Sequence, residues 1–292
     1  VKRFSISDIE SFTGIKAHTL RAWEKRFNLV PPKRTSTNIR FYDEQDLKML
    51  LNIVTLNENG YKISKIASLS SEQINHLVAQ MKADWNNDAV QVLNLSEATL
   101  RYDEETFSKI LSGCIKEMGL VKTMDIVLFP FMKRVGMLWQ TSTLDPAHEH
   151  FAGNLIRDQL IIAIAKVKKP IKKSPKRFLL FLPEAETHEI GLLFARYLLK
   201  RCGHDALYIG QDIPYSDINK VIDAFKPDYA FMVLTSLNLG KDVNKIIGKV
   251  MGNLGVPLLV AGSLISEFDI VMNERLIPLK NVCDMVDFLE EI

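Results

Sequence analysis

The sequence predicts a multidomain protein: a mostly α winged helix-turn-helix, then a four-helix bundle, then an α/β Rossmann-like (flavodoxin-like) domain. Three observations lead there. Two short helical patterns around Thr13-Gly14 precede a proline-rich, cationic hairpin pattern over residues 29–42. Residues 84–167 keep apolar positions at three- and four-residue spacing almost throughout. From Phe178 onward, short apolar runs alternate with amphipathic segments, the pattern of a parallel sheet covered on both faces by helices. These patterns set the domains at 1–75, 84–167 and 178–292.

The chain has 292 residues, enough for two or three domains, and 47% of them are hydrophobic. No apolar run approaches the roughly 20 residues of a membrane helix, and Val1-Lys2-Arg3-Phe4-Ser5 lacks the apolar core of a signal peptide. Cys114, Cys202 and Cys283 are widely spaced and odd in number, so they are expected as buried free thiols in a reducing cytoplasm. The net charge is only +2, but it is unevenly distributed. Residues 1–80 carry 12 Lys and Arg against 8 Asp and Glu, and the remainder carries 25 against 27. A basic front on a near-neutral body suits a nucleic-acid-binding end.

Ser5 with Asp8 three residues on reads as the start of a first helix, and Ile9 and Phe12 give it an apolar side. A second helix follows from about Ala17. Its first turn is expected in the DNA major groove, with Thr19, Arg21, Lys25 and Arg26 as contacts, while Leu20 and Trp23 face the core. The segment Leu29–Tyr42 reads as a two-stranded wing whose cations, Lys33 and Arg34 among them, contact phosphates. The string Thr19-Leu20-Arg21-Ala22-Trp23-Glu24-Lys25-Arg26, with Arg40-Phe41-Tyr42-Asp43, Asp46-Leu47 and Gly60-Tyr61-Lys62-Ile63, resembles the winged helix of the MerR family over about 70 residues. The resemblance implies operator binding as a dimer and makes Arg21, Arg40 and Tyr42 DNA contacts. Lys16 departs from the Ser that usually caps the second helix in that family, which puts local helix stability in doubt.

The middle segment predicts helices over Asn94–Ala98, Thr106–Met118, Val121–Met137 and His148–Lys166. Before the last lies Trp139, then nine residues, then Glu149-His150. This spacing resembles the helical cap of cobalamin-binding photoreceptors and methionine synthase-like modules. The resemblance implies that the Trp139 indole covers the upper face of a corrin and its adenosyl group, with Glu149 accepting from ribose hydroxyls and His150 beside it. By themselves these residues also read as a core Trp and a helix start in which Glu149 favours the N-terminal dipole.

Residues 168–177, cationic and holding Pro170 and Pro175, read as a linker. Beyond it, Phe178–Leu182, Ala206–Ile209, Tyr229–Leu234 and Leu258–Ala261 predict strands. Gly191–Arg201, Ser216–Phe225, Asp242–Met251 and Val282–Glu290 predict helices. In an open parallel sheet, ligands bind at the carboxyl ends of strands, and His188 sits at such an end. An imidazole there, with Glu186 two residues before it, can ligate a metal while the carboxylate orients its other nitrogen.

In this context Glu186, His188 and Gly191 resemble the cobalamin signature Asp-x-His-x-x-Gly. Thr235-Ser236-Leu237 stands where that family has Ser-x-Leu, and Gly262-Ser263 where it has Gly-Gly. The resemblance implies His188 as the lower axial cobalt ligand, with the nucleotide tail passing Thr235 and the Gly262 turn. Taken together, the three motif groups resemble the CarH/LitR group of MerR-type repressors, which use adenosylcobalamin as a light sensor. That implies a non-enzymatic regulator with double-stranded operator DNA as partner, a homo-oligomer (dimer or tetramer), contact with RNA polymerase, and no membrane. Three departures keep a second reading open: Glu186 for Asp, Ser263 for the second Gly, and Gln140 where light-sensing members have a His. In that reading the module senses another ligand or a protein partner. His18, His76 and His204 are expected at the surface.

Overall fold

The computed structural model describes residues 3–35, 38–58, 60–82, 88–140, 145–235 and 243–292. The chain divides into two compact units, Val1–Leu155 and Ile156–Ile292.

The first unit opens with α1 (Ile6–Thr13), whose start is a capping box formed by Ser5 and Asp8. Gly14 ends it with a positive φ of 73°, which a residue without a Cβ adopts at little cost. In α2 (Ala17–Phe27) the N-cap residue Lys16 offers no side-chain cap. Glu10 of α1 supplies one instead: its carboxylate accepts from the Ala17 N–H at 2.9 Å and from Lys16 Nζ at 3.0 Å. The same two bonds, the backbone one first, hold the Glu10 carboxyl below its ordinary pKa. The doubt raised by Lys16 is thereby answered from the neighbouring helix. Strands β1 (Lys33–Arg34) and β2 (Arg40–Phe41) form the antiparallel wing. A bridge between Phe4 and Tyr42 extends it, with both backbone bonds 2.8 Å long.

Helix α3 (Glu44–Glu58) buries apolar residues on nearly every side, and its two buried polar groups are bonded. Asn52 donates to Asn75 and Thr55 to the Leu51 carbonyl. With α4 (Ile63–Ile66) and α5 (Ser71–Lys82) it makes a core of Ile53, Leu56, Ile66, Ile74 and Val78, against which Trp23 packs. Then come α6 (Asp88–Leu100), α7 (Glu104–Met118), α8 (Leu120–Thr123), α9 (Phe129–Gln140) and α10 (Pro146–Lys166). The helix expected over 121–137 is broken by a π-helical turn, Met124–Leu128, where the Phe129 N–H reaches back to the Met124 carbonyl. The adjacent Pro130 explains it: proline has no N–H, and its ring excludes the carbonyl four residues earlier. Among the described residues no helix is long and apolar enough to cross a membrane.

The second unit alternates β3 (Arg177–Pro183), α11 (Ile190–Arg201), β4 (Asp205–Ile213), α12 (Tyr215–Phe225), β5 (Tyr229–Val233), α13 (Val243–Asn253), β6 (Leu258–Ala261), α14 (Ser263–Glu267), β7 (Leu276–Pro278) and α15 (Val282–Glu291). All five strands are parallel, in the order β4-β3-β5-β6-β7. This is the flavodoxin-like order, and its direction reverses between β3 and β5. Strand β3 is buried from Phe178 to Pro183, as a central strand covered on both faces should be.

Three expectations need correction. The segment read as a linker packs back onto the domain: Lys172 and Pro170 lie against Gly203, and the Lys176 N–H donates to His204 Nδ1 at 3.1 Å. His204 is therefore 2% exposed, not a surface residue, and its Nε2 faces the Leu289 carbonyl at 3.2 Å. Of the three free cysteines only Cys114 is buried, where desolvation pushes its thiol up to about 11, while Cys283 is exposed.

Candidate functional site

On the basic head, α2 turns Arg21, Lys25 and Arg26 to the surface, with Thr19 half-buried and Leu20 in the core. The wing cations are already engaged. Lys33 Nζ lies 2.7 Å from Asp43 and 2.6 Å from Asp46, and these bonds raise its pKa. Arg34 donates to Asn38 at 2.8 Å, and Arg40 Nε stands 3.3 Å from Glu24. Tyr42 corrects the expectation of a DNA contact: it is 2% exposed, because the backbone bridge to Phe4 turns its ring inward. Arg3 lies outside the helix-turn-helix and wing patterns. It is exposed, with its guanidinium 4.8 Å from the centre of the Phe41 ring, and the basic Lys2-Arg3 pair beside Phe4 was the available signal.

In the second unit the loop after β3 is built around one carboxylate. Ala185 and Asp212 both adopt positive φ, and each holds the other's loop. Ala185 N–H donates to the Asp212 side chain at 2.8 Å, and Asp212 N–H donates to the Glu186 carbonyl at 3.1 Å. The Glu186 side chain has no solvent exposure. Its Oε1 accepts from the N–H groups of Thr187 and His188, both at 3.1 Å, and from His188 Nδ1 at 2.6 Å. Its Oε2 accepts from the Thr235 N–H at 2.9 Å and the Thr235 hydroxyl at 3.3 Å.

A carboxylate removed from water needs several such donors to remain charged. The extra methylene of Glu186 lets it serve both strand ends. A neutral His188 ring whose Nδ1–H donates to the Glu186 carboxylate would carry its lone pair on Nε2, as in metal-ligating histidines backed by a carboxylate. The His188 side chain is 45% exposed.

Two glycines let this corner close. A Cβ on Gly191 would lie 3.0 Å from a Val233 methyl, so α11 starts tight against β5. A Cβ on Gly262, at φ 112°, would lie 2.2 Å from the Leu234 carbonyl oxygen. Ser263, whose hydroxyl stands 3.4 Å from the Thr235 carbonyl, continues the same edge. Glu186, His188, Gly191, Thr235, Gly262 and Ser263 are thus brought together at the carboxyl ends of β3, β5 and β6. Ser236 and Leu237 lie outside the described residues. Among the described residues no group of three or more His, Cys, Asp or Glu side chains could cage a metal ion. A single oriented imidazole suits a metal that arrives with its own ligands.

In the first unit, Trp139 falls in the last turn of α9, and its side chain, like that of Gln140, lies outside the described residues. Glu149 is half-buried and His150 exposed in the first turn of α10. Neighbouring His148 is buried and stacks on Tyr102 with ring centres 4.3 Å apart. Its Nδ1 accepts the Asp145 N–H at 3.2 Å, the bond a Glu side chain makes in a capping box.

Comparison with known proteins adds the following. Residues 4–73 match the family described as MerR HTH family regulatory protein, and residues 93–162 match the family described as B12 binding domain. The chain is 26% identical over 270 residues to the HTH-type transcriptional repressor CarH of Myxococcus xanthus, covering 90% of this chain and 89% of that one. It is 29% identical over 231 residues to the repressor CarA of the same organism, covering 76% and 73%. Among solved structures, the Methanosarcina barkeri monomethylamine corrinoid protein superposes with a TM-score of 0.50 at 14% identity, covering 68% of this chain and 95% of that one. That last likeness is one of fold.

Proposed function

We propose that this chain, a MerR-family regulator joined to a cobalamin-binding module, is a cytoplasmic transcriptional repressor whose grip on its operator is set by bound adenosylcobalamin and by light. The observation that carries the reading is the Glu186–His188 pair, tied to Thr235 where the sheet order reverses, on a chain that begins with a winged helix-turn-helix. We divide the protein into a DNA-binding head (1–75), a helical cap (84–167) and a cobalamin-binding domain (178–292).

The residues fit the group. His188 would offer its Nε2 nitrogen to the cobalt, and Glu186, 2.6 Å from Nδ1, would orient the ring. Gly262 and Ser263, with Thr235 beside them, line the edge where a nucleotide tail would pass, and Trp139, Glu149 and His150 belong to the cap. When bound, adenosylcobalamin supplies a cobalt–carbon bond that light can break. The head holds duplex DNA through Arg21, Lys25 and Arg26, with Thr19 at the groove edge. Lys33, Arg34 and Arg40 shape the wing through their pairs, and Tyr42 anchors it to Phe4.

Regulation then is a linkage between two binding events. Moving a population from 1:99 to 99:1 takes about 5.5 kcal/mol of differential affinity. Assembly of several heads on one operator can supply that through effective concentration, so the active form is an oligomer, a dimer or tetramer. No substrate enters this scheme, and the protein acts as a regulator rather than an enzyme, in competition with RNA polymerase at its promoter. The test is a mobility-shift assay of the full chain on its promoter DNA, with adenosylcobalamin, in the dark and after illumination. Retardation in the dark and its loss in light are expected. Equal retardation with and without the cofactor, in dark and light, would remove the cofactor's role.

A further inference from the structure

We propose that Arg157 and Tyr208 act through Glu189 as positioning residues for the His188 imidazole, linking the bonding state of His188 to helix α10; the inference rests on the cobalamin reading above. Glu189 is the residue after His188 and the N-cap of α11, with backbone angles of −82° and −6°. Those angles are already helical, and a side chain caps the first N–H groups of its helix from extended backbone. Glu189 makes no such bond. One oxygen accepts instead from Arg157 Nε on α10 at 2.6 Å, and the other from the Tyr208 hydroxyl on β4. Its side chain is only 17% exposed, and the Arg196 guanidinium lies over the Tyr208 ring at 5.3 Å.

His188 is therefore bracketed. On one side Glu186 holds its ring and ties it to β5 through Thr235. On the other, the next residue, Glu189, is tied by its side chain to α10 and β4. A second tie joins the same two helices at the far end of α11, where Lys200 Nζ donates to the Ile164 carbonyl at 2.7 Å. Helix α10 thus meets α11 at both ends of the latter, and a shift of residues 188–189 has a polar path into residues 157–164.

The test uses the full chain loaded with adenosylcobalamin in the dark, in Arg157→Met, Tyr208→Phe and Glu189→Gln variants, with Arg157→Lys as the conservative partner. The visible spectrum reads whether the lower face carries imidazole. Hydrogen exchange reads protection of residues 157–164 with and without cofactor. Loss of a direct outer-shell partner costs roughly 10–100-fold in metal affinity; for these more remote groups we expect about three- to tenfold in the imidazole-bound ratio, with Arg157→Lys recovering part. Cofactor-induced protection of 157–164 should fall in the first three variants while corrin is still retained. Tyr208→Phe removes one hydroxyl and keeps the packing, so it reports even where Arg157→Met unfolds. An unchanged imidazole-bound spectrum and unchanged protection in folded, loaded variants overturn the inference alone. A parent protein that takes up no corrin overturns it together with the reading beneath it.

Discussion

Glu186 and His188 share a 2.6 Å hydrogen bond, and the same carboxylate receives the Thr235 N–H at 2.9 Å, so one fully buried side chain spans the two strand ends where the sheet order reverses. Replacing it tests both halves of the contact. In Glu186→Gln one oxygen becomes an NH₂ group, which must face a donor, either the imidazole or Thr235. Metal ligation by His188 should weaken about 10–100-fold, and the unmet Thr235 N–H should cost about 1–3 kcal/mol of stability. Cobalamin titration followed by thermal unfolding reads the two effects separately. A Glu186→Gln protein with parental affinity and melting point would show that the carboxylate is a bystander.

The wing and the recognition helix should respond differently to salt. Each phosphate neutralised adds about 0.9 to the slope of log affinity against log salt. Arg21, Lys25 and Arg26 are exposed, so Lys25→Ala or Arg26→Ala should lower the slope by about one unit. Lys33 is neutralised by Asp43 and Asp46, so Lys33→Ala should leave the slope alone and loosen the wing instead. Operator titrations at four salt concentrations separate the cases, and equal slopes for Lys33→Ala and Lys25→Ala would refute the distinction.

Gly262 is irreplaceable for a steric reason. In Gly262→Ala the new carbon would meet the Leu234 carbonyl oxygen at 2.2 Å on a backbone already at φ 112°. The cost should be roughly 2–5 kcal/mol, combining left-handed strain with overpacking. Gly255→Ala, with nothing within 4 Å of the added carbon, is the matched control. Urea unfolding should show a lower midpoint for the first and little change for the second.

His204 makes stability fall with acid. Burial first, and the nearby charges of Lys172 and Lys169 next, hold its pKa below the ordinary histidine value; the Leu289 carbonyl and Asp205 oppose them. The ring's Nδ1 accepts from the Lys176 N–H, and its Nε2 lies 3.2 Å from the Leu289 carbonyl and 3.0 Å from Lys172 Nζ. Because the unfolded chain binds the proton more readily, stability is fully present above the ordinary value of about 6.5. It is lost as pH falls from there towards the depressed folded pKa. Melting temperatures of the parent and of His204→Gln, compared from pH 7.5 to 5, should converge as pH falls. Parallel curves would mean that this ring does not titrate in that window.

Much of the fold is legible because its signals are local. Ser5 with Asp8, Gly14, and the apolar runs around Phe178 and Tyr229 each declare their element within a few residues. What escaped depends on contacts distant in sequence. Strand β7 has three residues, one of them Pro278, and shows no period of its own. The π turn was written in Pro130, which an apolar periodicity read over 121–137 passes across. Lys33 looks like a free cation until residues 43 and 46 fold beside it, and Tyr42 looks like a contact until Phe4 pairs with it. His204 looks exposed after Gly203, but its partners come from residues 172, 176 and 289. At the site, the positions of Glu186 and His188 could be read from the spacing, whereas the reach of Glu186 to Thr235 could not.

The most direct measurement is the absorption spectrum of the full chain after gel filtration with adenosylcobalamin in the dark, with His188 intact and in His188→Ala. The intact protein should elute with stoichiometric corrin bearing an imidazole-bound lower face, and His188→Ala should lose that signature. Corrin-free elution of the intact protein, or identical spectra for the two, would contradict the account.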